Sequence, residues 1–100
     1  MKLAMDGHEM PRVELEPPKW QPLETAIGHD LRGWMYMGSW LLIDGTAIRA
    51  YKHYDTREYL NLSDDGRTWE YEGLGYREIA RDAAIDQALA TVRDFAASAT

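Results

Sequence analysis

The side chains able to carry chemistry are few and widely spaced. The chain holds three histidines, His8, His29 and His53, and no cysteine. Without cysteine there is no disulfide, no thiolate metal site and no sulfur nucleophile. His8 and Glu9, with Asp6 two residues earlier, could chelate a divalent cation. A zinc site is read from paired ligands such as HxxxH, however, and that pairing is missing, so no metal or other cofactor is expected. His53 stands in Tyr51-Lys52-His53-Tyr54-Asp55. A histidine among aromatics at a strand end is ordinarily a hydrogen-bonded packing residue; its sharper use would be as a general base beside a carboxylate such as Asp55 in a small enzyme.

The remaining motifs are incomplete. Ser39 and Ser63 lack the GxSxG elbow of an esterase nucleophile. Gly73-Leu74-Gly75 precedes a helical pattern, but no GxGxxG follows to cradle phosphate. Asp64-Asp65-Gly66 lacks the further ligands of a calcium loop and reads as a turn. No catalytic residue is assigned. A non-enzymatic protein is expected.

The elements that must position these residues divide the chain in two. All four prolines, Pro11, Pro17, Pro18 and Pro22, lie in residues 1–22. Proline lacks an amide donor and biases its predecessor to extended geometry, so this stretch reads as an extended arm. Val13 and Leu15 alternate with charged neighbours and predict a short edge strand over 12–16. Trp20 is a large apolar group in that arm and must dock on something. Residues 23–100 form a single domain. Leu23, Ile27 and Leu31 recur at helical spacing and predict a short helix over 23–31, with Pro22 in its first turn and Gly28 weakening it.

Residues 33–72 predict a sheet. Asp44-Gly45, Asp55-Thr56-Arg57-Glu58 with Thr56-Arg57 at its tip, and the four-residue loop Asp64-Asp65-Gly66-Arg67 mark three turns between segments rich in Trp, Tyr, Ile and Leu. The simplest product is a four-stranded antiparallel meander. With a two-residue loop at Asp44-Gly45, Trp40 opposes Arg49 and Tyr36 opposes His53. The same reasoning collects Trp40, Leu42, Tyr51, Leu60, Leu62, Trp69 and Tyr71 on one face. The period then changes. Ile85, Ala88, Leu89, Val92 and Phe95 fall on one side of a helix, predicted over 76–97, with Arg81 lying along the apolar face as a stem that reaches water. The expected class is α+β, with this helix packed on one face of the sheet.

The opposite face carries the functional expectation. By this register it presents Met35, Met37, Leu41, Ile43, Ile48, Tyr54 and Tyr59. An antiparallel sheet with one wet face should be polar there, so the patch needs a cover. A second copy of the chain is the expected partner, with Trp20 of the arm contributing to the same interface. The aromatic inventory of four Trp, six Tyr and one Phe suits half-wet surfaces, and a small neutral or cationic ligand could stack there.

Charge narrows the classes further. Eleven Lys and Arg against seventeen Asp and Glu give −6 over 100 residues. That opposes direct nucleic-acid binding, which relies on a cationic surface, and equally a polybasic membrane surface. A meander closed by a helix is similar to double-stranded-RNA-binding domains, but Asp82, Asp86 and Asp94 stand where those need a basic helix. An acidic inhibitor filling the nucleic-acid groove of a DNA- or RNA-handling machine, of the anti-restriction or anti-CRISPR kind, is an alternative. No apolar run approaches the length of a membrane span, and Asp6 breaks the start too early for a signal peptide. A cytoplasmic location is expected.

Overall fold

The computed structural model describes residues 18–28, 30–73 and 75–98. The strand expected over 12–16, the His8–Glu9 chelate and His29 lie outside them. The class is α+β. Helix α1 spans Gln21–Ile27, strands β1 to β5 span Trp34–Leu41, Ala47–His53, Tyr59–Ser63, Thr68–Tyr71 and Tyr76–Ile79, and helix α2 spans Arg81–Ser98. The strands form one antiparallel sheet in sequence order.

Helix α1 is shorter than the expected 23–31 and begins earlier. Pro22 sits in its first turn, where the missing amide costs nothing. Gly28, at φ 89°, ends it by donating its N–H to the Glu24 carbonyl.

The sheet has five strands, not four. Residues 76–79, expected in the helix, are β5: Tyr71 faces Tyr76 and Thr68 faces Ile79. Glycine makes the reversal possible, since Gly73 at φ 85° lies where side chains are disfavoured. The Glu72 N–H then bonds the Gly75 carbonyl to close the turn. Helix α2 consequently starts at Arg81, so this arginine stands at the helix entrance and not midway along its apolar face. Its Nε donates to the Gly66 carbonyl at 2.7 Å, tying the helix start to the β3–β4 turn.

Both Asp-Gly turns hold one loop residue fewer or more than expected, and the consequences are large. Residues 42 and 46 bond across a three-residue loop in which Gly45 takes φ 92°; residues 63 and 67 do the same around Gly66 at φ 89°. In each turn the aspartate before the glycine accepts from the backbone N–H of the residue after it, Thr46 or Arg67. The turn is a β-turn followed by a left-handed glycine. A four-residue loop, with Arg57 at φ 65°, joins β2 to β3 in place of a two-residue tip. Trp40 therefore opposes Ile48, and Tyr36 opposes Tyr51, with an irregularity between Tyr36 and Gly38. A one-residue slip exchanges the faces of a strand. It moves Trp40, Leu42, Trp69 and Tyr71 away from the helix side, while Tyr51, Leu60 and Leu62 stay there.

The chain thus has two apolar clusters, one on each face. On the helix side Leu23, Trp34, Tyr51, Leu60, Leu62, Ile85 and Ala88 are buried together, with Trp20, Tyr36, Leu89 and Val92 packed against them. On the other side Leu42, Ile48, Trp69 and Tyr76 are buried with Trp40 against them. No second element lies on that side among the described residues. The sheet covers itself: it curls until Trp40 of the first strand meets Tyr76 of the last, ring centroids 6.0 Å apart.

Candidate functional site: an aromatic cleft between two strands

The sheet is incomplete in its interior. Strands β3 and β4 pair only at Asn61–Trp69 and Leu62–Thr68. Beyond Asn61, Leu60 and Tyr59 pair with β2 alone, and Glu70 and Tyr71 with β5 alone. Asn61 marks the opening, because its side-chain Nδ2 donates to the Trp69 carbonyl at 3.3 Å. Past this point the strands diverge and leave a cleft of about 780 Å³. Its lining comes from both sides of the sheet: Trp40, Tyr59, Trp69, Tyr71, Tyr76 and Met37 from the concave face, and Leu60, Thr68, Ile79, Ala84 and Gln87 from the helix side. Cavities of this size accommodate small organic ligands.

The walls differ in exposure. Trp69 and Tyr76 are buried, whereas Tyr59 and Tyr71 are about half exposed and form the mouth. Tyr76 packs on Tyr71 at 5.4 Å between ring centroids as well as on Trp40. Burial, with Tyr71 and Tyr59 adding to it, pushes the Tyr76 phenol well above its usual value, so it stays a neutral donor at ordinary pH. The Tyr71 hydroxyl donates to the Gly73 carbonyl at 3.0 Å, which fixes that ring beside the turn.

Charges surround the cleft in balanced fashion. The Arg67 guanidinium lies 4.9 Å from the Trp69 ring centroid and bonds Asp65 and Glu78. Lys52 Nζ lies 5.3 Å from the Tyr59 ring, and Glu58 lies on the rim. Glu70, also on the rim, pairs with Arg77. Arg67 and Glu70 are therefore each met by opposite charge.

Two polar atoms on the lining residues are not met. Trp69 Nε1 and Thr68 Oγ1 are buried and make no hydrogen bond. A buried donor left without an acceptor costs roughly 1–3 kcal/mol.

The expected interface residues scatter. Met37 and Tyr59 line the cleft. Ile48 is fully buried inside the curled sheet, and Met35 and Leu41 are half-buried on β1. Ile43 and Tyr54, at 56% and 66% exposure, stand on two separate turns. Trp20 is on the opposite side, packed at 5.7 Å on Tyr51 and 6.0 Å on Tyr36. These eight residues do not form one patch.

His53 is a packing residue in this geometry. It is buried, its ring meets Trp34 edge-on at 5.2 Å, and its Nδ1 accepts from the Thr56 N–H at 3.3 Å. It lies outside the cleft. Among the described residues no group of three metal-ligating side chains occurs, and no helix is long and apolar enough to cross a membrane. The second polar centre lies on the helix side. Arg49, nearly buried, forks onto Asp64 with contacts of 3.0 and 3.1 Å and reaches Ser39 Oγ at 3.2 Å. Lys19 adds a 3.2 Å bond to the same carboxylate. Every group there is paired, which makes it a structural tie.

The concentration of Trp and Tyr is visible in the sequence, but it singles out no ligand residue. The register expected from the turns directs Trp40, Trp69 and Tyr71 toward the helix, and the helical period absorbs Tyr76, whereas the structure puts all four on the concave side. The readable signal was the repeated Asp-Gly turn, whose three-residue form sets the correct face. Comparison with protein families, curated proteins and solved structures finds no match for this chain.

Proposed function

We propose that the chain is a small non-enzymatic binding protein whose site is the aromatic cleft between β3 and β4. One observation carries this reading: the ladder opens inside the sheet, and the opening is lined by five aromatic rings, from Trp40, Tyr59, Trp69, Tyr71 and Tyr76. A sheet whose only task was to close a core would continue the ladder, since unpaired strand backbone is costly to leave in an interior. Aromatic walls give a ligand apolar area with fixed geometry, and the half-exposed tyrosines provide an entrance. The test is a fluorescence titration of the intact protein with naphthalene, comparing wild type with Tyr71→Ala. Saturable quenching that weakens several-fold in the variant supports the site. Unsaturable quenching, alike in both, rejects it.

Self-association is a second reading, favoured by the exposure of Ile43, Tyr54, Tyr59, Tyr71 and Phe95. Sedimentation equilibrium of wild type against Tyr54→Glu tests it. A dimer that weakens in the variant supports it, and a wild-type monomer removes it.

A further inference from the structure

We infer that the cleft takes an extended peptide segment, which enters as an added strand between β3 and β4 with apolar side chains toward the concave face and basic ones toward the helix face. The inference deepens the proposed binding role and rests on it. The main chain gives the first reason. Along an antiparallel pair, hydrogen-bonded residues alternate, and each sends both its N–H and its C=O to one side. The Ser63 N–H bonds the Arg67 carbonyl, and the pairing of Asn61 with Trp69 continues that series. The next pair in the same register is Tyr59 with Tyr71, and it is not made. The outer neighbours fix the direction of both residues. The His53 N–H bonds the Glu58 carbonyl, and the Glu72 N–H bonds the Gly75 carbonyl. Glu58 and Leu60 therefore turn their main chain to β2, Glu70 and Glu72 turn theirs to β5, and Tyr59 and Tyr71 between them face the opening. Donors and acceptors thus stand at ladder spacing on both sides of a gap in a sheet. A peptide backbone is the ligand that matches them, as in recognition by strand addition.

The lining gives the second reason. Side chains of an inserted strand alternate between the two faces. On the concave face they meet the rings of Tyr59, Trp69 and Tyr71. The Tyr59 and Trp69 rings each already hold a cation, from Lys52 and Arg67, so an uncharged side chain belongs there. The charged residues of the lining are Glu58 and Glu70, and no described Lys or Arg joins them. Glu70 follows Thr68 on the helix face of β4, and the chain as a whole carries −6. Charge complementarity therefore favours basic residues at the alternate positions of the peptide.

The probes are Ac-Lys-Phe-Lys-Phe-Lys-NH2, the same peptide N-methylated at each Phe, and Ac-Glu-Phe-Glu-Phe-Glu-NH2, each titrated into the full-length ¹⁵N-labelled chain. The lysine peptide should bind saturably and slow the exchange of the Tyr59 and Tyr71 backbone N–H groups with water. N-methylation removes the donors along one edge of the peptide and should weaken binding about tenfold. The glutamate peptide should bind several-fold less well, and Glu58→Gln should narrow the gap between it and the lysine peptide. Binding without protection of either N–H, or equal affinity for the methylated peptide, overturns strand insertion while the binding role stands on the naphthalene titration. A lysine preference unchanged in Glu58→Gln assigns it to the overall charge of the chain and overturns the basic pattern given to the cleft. Naphthalene binding without peptide binding overturns the inference alone. Failure of naphthalene and peptides alike removes the binding role as well.

Discussion

Trp40 and Tyr76 belong to the first and last strands of a five-stranded sheet, yet their ring centroids lie 6.0 Å apart. Strand twist curls the sheet enough for its two edges to approach over the concave face. Ile48 and Leu42 are buried beneath that contact, with no second layer over them among the described residues. The apolar residues on this side thus act as a core and as the floor of a cleft at once.

Ile48 reports directly on this arrangement. Ile48→Ala should cost roughly 2–5 kcal/mol, because the residue is fully enclosed. Ile48→Glu should abolish cooperative unfolding, since a carboxylate would be buried without a partner. Tyr54→Glu, on an exposed turn, should change stability by no more than about 0.5 kcal/mol. Urea denaturation followed by circular dichroism separates them. An Ile48→Glu protein with a normal transition would show that the concave face is open to water.

The Arg49–Asp64 fork predicts acid sensitivity. The Arg49 hydrogen bonds hold the Asp64 carboxyl below its usual value, with Lys19 adding to the effect. Such a carboxylate stabilises the fold fully above its unfolded pKa, about 3.9, and ceases to do so as pH falls through its lower folded value. The urea midpoint should therefore drop across that window, and Asp64→Asn should flatten the drop. At neutral pH Asp64→Ala should cost about 2–3 kcal/mol, less than for a wholly buried pair because Asp64 is partly in water. An unchanged acid limb in Asp64→Asn would assign the sensitivity to other carboxylates.

Gly33 and His53 form a second measurable pair. Gly33 has φ 83°, and a Cβ there would lie 2.7 Å from His53 Nε2. Gly33→Ala combines backbone strain of about 1–2 kcal/mol with displacement of a buried ring. His53→Ala relieves the collision but leaves the strain. Gly33→Ala should consequently cost less in the His53→Ala background, with a coupling above about 0.5 kcal/mol in a double-mutant cycle. Additive effects would mean that the imidazole moves aside freely.

The broad architecture was legible because each element has a local cause. Proline and glycine bracket α1, Asp-Gly pairs mark the turns, and Ile85, Ala88 and Leu89 repeat at helical spacing. Register was less legible. Whether Ile43-Asp44-Gly45 or Asp44-Gly45 makes the loop changes the turn by one residue, and that residue decides which way Trp40 points. The irregularity after Tyr36 then restores Tyr36 and Trp34 to the helix side, a correction that hydrophobic pattern cannot announce. Residues 76–79 were hidden by their brevity, since four residues ahead of a strong helical period read as its first turn. The cleft followed these errors, because it exists only when Trp40, Trp69, Tyr71 and Tyr76 share a face.

The four tryptophans divide between the two sides of the sheet, which allows one measurement to test the binding site. Trp40 and Trp69 line the cleft, while Trp20 and Trp34 lie in the core against the helices. In a ¹H–¹⁵N correlation spectrum of the labelled chain, naphthalene should shift the indole resonances of Trp40 and Trp69 in a saturable manner and leave those of Trp20 and Trp34 in place. Shifts at Trp20 and Trp34 alone, or none at any of the four, would contradict the assignment of the cleft as the binding site.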